Sequence, residues 1–155
     1  MGRGIREFET NKKLTIMGMY TELILGAKLK KDTPDTVIQS LQYLLGYRSD
    51  MPNGFPFDGV RNPLRGGSYY FGVTDAVYQM KYDDISEAWQ ISTRANIKNY
   101  NNEIENFLDW LKPHIGQGSG AREFYAIVTY EESDEPTIYY LDIWTEQTKE
   151  VEVGY

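Results

Sequence analysis

The chain has 155 residues, no cysteine and a formal net charge of −7. That length suits one domain, and 41% apolar with 25% charged residues is the balance of a folded chain. The composition excludes disulfides, Cys-ligated zinc and a thiol nucleophile, and there is neither a membrane-spanning apolar run nor a secretory leader core. The charge is also uneven along the chain. Residues 131–155 carry eight acids against Lys149 alone, whereas 19–130 are close to neutral. An acidic balance opposes sequence-independent binding to nucleic acid, whose phosphates require Lys and Arg.

Residues 1–18 hold no period, and Met17 and Met19 follow them, so they are expected to be a dispensable or flexible arm read from an upstream start. From Met19 the pattern becomes regular. Leu23, Leu25, Ala27 and Leu29 alternate as a half-buried strand does. Asp32-Thr33-Pro34-Asp35 predicts a helix start, with Thr33 as cap and Pro34 as first helical residue. Val37, Ile38, Leu41, Leu44 and Leu45 then share one face, and Gly46 is placed to end the helix. Tyr43 falls opposite that stripe.

Residues 47–67 hold three prolines and four glycines and predict a long loop. A short strand at Ser68–Val73 is expected to leave it. Val77–Tyr82 and Glu87–Ala95 predict a hairpin around Asp83-Asp84-Ile85-Ser86. A second helix follows at about 102–112, capped by Asn99 or Asn101, with Ile104, Phe107, Leu108 and Leu111 as its stripe. Trp110 lies off that stripe. Phe124–Tyr130 is apolar on both faces, as a central strand would be, and Thr137–Trp144 predicts another strand. Val151 and Val153 allow a frayed edge strand within an acidic tail, 145–155.

These elements imply one α+β domain over 19–144. Two helices would cover one face of a mostly antiparallel sheet, in a sandwich related to the ferredoxin-like split βαβ arrangement, with a long loop insertion and an extra C-terminal strand. The strand at Thr137–Trp144 would leave an edge open to a second copy of the chain.

Little of the usual catalytic equipment is present. The single histidine, His114, follows Pro113 at a helix end, where a solvated imidazole favoured by the helix dipole is the plain reading. Gly116-x-Gly118-x-Gly120 follows a helix and so lacks the context of a dinucleotide fingerprint. Asp83-Asp84 reads as a turn before it reads as a metal site. No catalytic residue, metal-ligand set or cofactor motif is assigned.

The aromatics say more. Thirteen tyrosines are present, and Arg65-Gly66-Gly67-Ser68-Tyr69-Tyr70 brings together a cation, two small flexible residues, a hydroxyl and two rings. Such a set can stack a base and hold a phosphate on backbone N–H groups, and Arg94 is the nearest candidate to join it. The same residues also suit a glycine turn entering an edge strand. Tyr43 and Trp110, off their helical stripes, are either covered by the long loop or candidate partner surfaces, and the acids Glu131, Glu132, Asp134 and Glu135 are further partner-surface candidates.

Several segments carry a resemblance. Met19-Tyr20-Thr21-Glu22-Leu23, Leu29-Lys30-Lys31-Asp32-Thr33-Pro34 and Leu41-Gln42-Tyr43-Leu44-Leu45-Gly46 belong to it, as do Gly67-Ser68-Tyr69-Tyr70-Phe71 and Lys81-Tyr82-Asp83-Asp84-Ile85. So do Asn99-Tyr100-Asn101-Asn102-Glu103-Ile104-Glu105, Phe107-Leu108-Asp109-Trp110-Leu111 and Tyr130-Glu131-Glu132 with Glu135-Pro136-Thr137. Over roughly 19–143 the chain resembles a group of small uncharacterised bacteriophage proteins. The resemblance implies a phage or prophage origin and action in the cytoplasm of a bacterial host, and it supplies no catalytic residues.

Three functions follow as expectations. The first is a non-enzymatic phage protein that engages a host protein, such as a host enzyme or defence system, through its aromatic or acidic surfaces. The second is a binder or sponge for a small nucleotide signal at residues 65–70. A hydrolase with a carboxylate-bound metal comes third.

Overall fold

The computed structural model describes residues 19–116, 122–133, 135–142 and 147–152. The expected arm at 1–18 and the glycines at 118 and 120 lie outside them.

Six strands form one antiparallel sheet: β1 (Thr21–Lys28), β2 (Val77–Asp83), β3 (Ala88–Ile97), β4 (Arg122–Tyr130), β5 (Thr137–Asp142) and β6 (Gln147–Glu152). Their order is β2-β3-β1-β4-β5-β6. Two helices, α1 (Asp35–Leu44) and α2 (Glu103–Leu111), follow β1 and β3. The fold is α+β. Its first four strands and two helices keep the split ferredoxin-like order, and β5 and β6 extend the sheet beyond β4.

The alternation read in β1 decides which face is covered. Leu23, Leu25 and Ala27 lie in register with Ala95, Thr93 and Ile91 on β3, and all are buried. The apolar stripes of both helices join the same core, including Val37, Ile38, Leu41, Ile104, Phe107 and Leu111. Each such side chain contributes roughly 1.5–3 kcal/mol on burial, so the helix-side core dominates stability. The other face of the sheet carries Ile24, Gly26 and Lys28 of β1 and the partners in register with them.

Helix ends differ in detail from the sequence expectation. α1 begins one residue later, at Asp35, and the Pro34 carbonyl accepts from the Val37 and Ile38 N–H groups. Thr33 does not cap it. Its hydroxyl instead donates to the Lys30 carbonyl at 2.6 Å, closing the turn before the helix. At the other end Gly46 has φ +81°, and the Gly46 and Tyr47 N–H groups donate to the Tyr43 and Gln42 carbonyls. That is the Schellman pattern expected of a glycine just past a helix. In α2 the N-cap position is Asn102, at φ +58° and without a side-chain cap bond, while the Asn99 side-chain oxygen, from outside the helix, accepts from the Ile104 N–H at 2.9 Å.

Two larger corrections concern strands. Ser68–Val73 forms turns and bends, not a strand, because Gly66 and Gly67 draw the chain tightly against its neighbours. The edge of β5 is not open to a second copy, because Gln147–Glu152 pairs along it as β6. Residues 153–155 lie outside the described residues. No helix among the described residues is long and apolar enough to cross a membrane.

Candidate functional site

The loop between α1 and β2 places the candidate site. Pro63 and Leu64 are buried in the core and anchor its middle. The Asn62 amide donates to the Leu44 carbonyl at 2.6 Å and accepts from the Leu64 N–H, so the loop is tied to the end of α1. Arg61 and Arg65 flank this anchor on either side.

Gly66 and Gly67 are required where they stand. The Gly66 carbonyl accepts from the Asn96 N–H at 3.0 Å, continuing the β3 edge past the end of β2. A Cβ at Gly66 would collide with Asn96 and Ile97, and one at Gly67 with the Thr74 carbonyl. Ser68 follows, and its hydroxyl bonds to the side-chain oxygen of Asn96, a residue only 1% exposed. The Asn96 amide in turn reaches the Val73 carbonyl at 3.5 Å. Asn96 is thus the peg on which the 66–74 arch hangs.

Beside the arch lies an open pocket of about 370 Å³ lined by Tyr20, Arg61, Arg65, Gly66, Gly67 and Lys98, among others. Arg61 is committed. It donates to Glu103 at 2.8 Å and lies over the Tyr100 ring at 5.2 Å. Burial works against the Glu103 carboxylate, but the hydrogen bonds from Arg61 and the Asn101 N–H outweigh it and hold its pKa below the usual range. Arg65 and Lys98 have no carboxylate partner among the described residues and rest on rings instead. Arg65 lies 5.1 Å from the Tyr78 centroid and Lys98 5.8 Å from that of Tyr20. The Gly66 and Gly67 N–H groups likewise have no intramolecular acceptor among the described residues.

Tyr70 stacks on Tyr20, with centroids 5.4 Å apart and an interplanar angle of 27°. Tyr69, within the arch, is 93% exposed. Two cations without a carboxylate and two backbone donors without an acceptor among the described residues, with a stacked tyrosine pair, suit a small anion carrying a planar group.

The structure brings Arg65, Gly66, Gly67, Ser68 and Tyr70 together, but not Arg94. That side chain lies farther along β3 on the sheet's open face and is spent on the buried Glu22, at 2.9 Å. Arg61, Lys98 and Tyr20 take its place, and the sequence reading did not single them out. Arg61-x-x-x-Arg65 across an Asn-Pro-Leu anchor was a usable sign. Lys98, just past the end of β3 and in step with Arg94 and Asn96, was another.

The remaining candidates have structural employment. Tyr43 packs edge-on to Phe55 at 5.0 Å and Trp110 edge-on to Phe57 at 5.1 Å, so the long loop covers both. Glu131 accepts from the Tyr20 N–H, and its own N–H donates to the Tyr20 carbonyl. Glu132 and Glu135 are exposed, and Asp134 lies outside the described residues. The Asp83 carboxylate accepts from the Ser86 hydroxyl at 2.6 Å and from the Ser86 N–H, which lowers its pKa and closes the hairpin turn. His114 departs from expectation. Partial burial, aided by Lys30 and opposed by Asp32, lowers its pKa and disfavours the imidazolium. No group of three or more His, Asp or Glu residues suited to a metal ion occurs among the described residues.

Comparison with protein families, curated proteins and solved structures finds no match to this chain.

Proposed function

We propose that this is a non-enzymatic binding protein whose pocket between the 61–67 loop and β3 takes a small phosphate-bearing anion of the nucleotide class. One observation carries the reading: among the described residues of an acidic chain, Arg65 and Lys98 lack carboxylate partners and flank two glycine N–H groups without an acceptor. The Tyr20–Tyr70 stack supplies a surface for a base. Affinity without turnover fits a sponge for a nucleotide signal. The resemblance to bacteriophage proteins makes a bacterial host cytoplasm the setting for such a protein.

The test is thermal unfolding with a panel of nucleotides and with inorganic phosphate. At least one nucleotide is expected to raise Tm, and Arg65→Ala or Lys98→Ala to remove that rise. No rise with any member of the panel rejects the reading.

A second reading, engagement of a host protein, is supported by the open sheet face. Ile24, Ile127, Ile138 and Val151 stand in register across β1, β4, β5 and β6, with Phe124 exposed beside them. Under it, Ile127→Lys removes capture of a host protein while leaving nucleotide stabilisation intact. The exposed acids Glu132 and Glu135 are a smaller surface for the same role, tested by reversing them to Lys.

A further inference from the structure

Gly26 occupies the middle of β1, an interior strand of the sheet. Glycine weakens a strand interior, and one found there usually answers a strained backbone or a close neighbour. Neither applies. Gly26 is not among the positive-φ glycines, and nothing lies within 4 Å of a Cβ built on it. Among the described residues the missing side chain serves no packing purpose. What it creates is space on the exposed face.

That space is the floor of a cleft of about 250 Å³, lined by Gly26, Lys28, Gln79, Lys81, Gln90 and Ser92. The register explains the lining. Gly26, Ser92 and Gln79 form one row across β1, β3 and β2, and Lys28, Gln90 and Lys81 form the next. Two lysines thus stand two strands apart, roughly 10 Å between Cα atoms, with a glutamine between them. Their flexible stems let both ammonium groups converge above Gln90. Neither lysine has an ion-pair partner among the described residues. Asp83, the acid whose charge Lys81 feels, is already held by Ser86.

We propose that this dish is a second anion site, independent of the pocket beside Gly66, for a small phosphorylated, hydroxyl-bearing molecule of the sugar-phosphate class. The phosphate lies between Lys28 and Lys81. Gln79, Gln90 and Ser92 exchange hydrogen bonds with the hydroxyls, and the body of the ligand rests over Gly26, where any side chain would exclude it.

The experiment titrates ¹⁵N-labelled full chain with ribose 5-phosphate, and separately with inorganic phosphate, reading backbone amide shifts. Saturating shifts are expected at Gly26, Gln90 and Ser92, with inorganic phosphate the weaker probe. The double variant Lys28→Ala/Lys81→Ala should weaken binding by at least about tenfold. Gly26→Val, which the open space accommodates, should abolish binding with Tm unchanged or raised. The amides of Gly66 and Gly67 report the other pocket and stay unaffected by these variants, so either site can fail without the other. Absence of shifts at Gly26, Gln90 and Ser92 up to about 10 mM ligand overturns the proposal, as do shifts that survive both variants. A dimer that Gly26→Val dissociates, with no ligand response in the parent chain, assigns the space to a second copy and overturns it equally.

Discussion

At the residue scale, the buried carboxylate of Glu103 illustrates how one side chain serves both fold and site. Its partners, Arg61 and the Asn101 N–H, favour the charged form more than burial disfavours it. A depressed pKa means that the stabilisation is present above the ordinary carboxylate range and lost as pH falls through the folded value. Glu103→Gln is therefore expected to cost about 1–3 kcal/mol at neutral pH. Urea unfolding should show that difference closing below about pH 4. Glycines at two positions make a contrasting pair. Gly67→Ala drives a methyl into the Thr74 carbonyl and should destabilise by about 1–3 kcal/mol. Gly26→Ala meets nothing and should be neutral or stabilising by roughly 0.5 kcal/mol. Equilibrium denaturation of the two variants checks both signs.

At the element scale, the long loop after α1 behaves as a third layer. Phe55 and Phe57 sit edge-on to Tyr43 and Trp110 and close the ends of both helix stripes. The loop therefore contributes core as well as the pocket wall. Phe57→Ala should cost about 2 kcal/mol, less than a fully buried phenylalanine because Phe57 is half-buried. It should also expose Trp110 to water and shift its emission to the red, which fluorescence reads directly. The sequence marked this segment as long and rich in Pro and Gly, yet gave no sign of which aromatic met which. Pairings between a loop and a helix have no period to betray them, whereas helix and strand stripes do.

At the scale of the whole molecule, the two faces of the sheet are covered differently. One face is committed to the helices and supplies the stability. The other carries Glu22 and Asn96 beneath the 66–74 arch at one end, and the rows through Ile24 and Gly26 beyond it. Ligand binding to the folded state alone should couple to global unfolding. At a hundredfold excess over Kd the gain is about 2.7 kcal/mol, a rise in Tm of roughly 5–10 °C. Calorimetry of the parent chain and of Arg65→Ala gives the comparison, with the rise expected only in the parent.

The elements and their inward faces were legible in the chain alone. Alternation in β1, the stripes of α1 and α2, and Gly46 as helix stop are local signals, set by the pleat, the helical repeat and one backbone conformation. The split order of the first four strands followed from the element sequence. The candidate site was half legible. Gly66 and Gly67 were identified and Arg61 lay within reach in the same loop, but Lys98 and Tyr20 come from separate segments that only folding brings together. Arg94 shows the converse. In sequence it was a free cation near the right strand, and the tertiary structure placed it beside Glu22, whose nearly complete burial requires a counter-charge. Which charges remain free for a ligand depends on the pairs that form across the sheet, and these are non-local by nature.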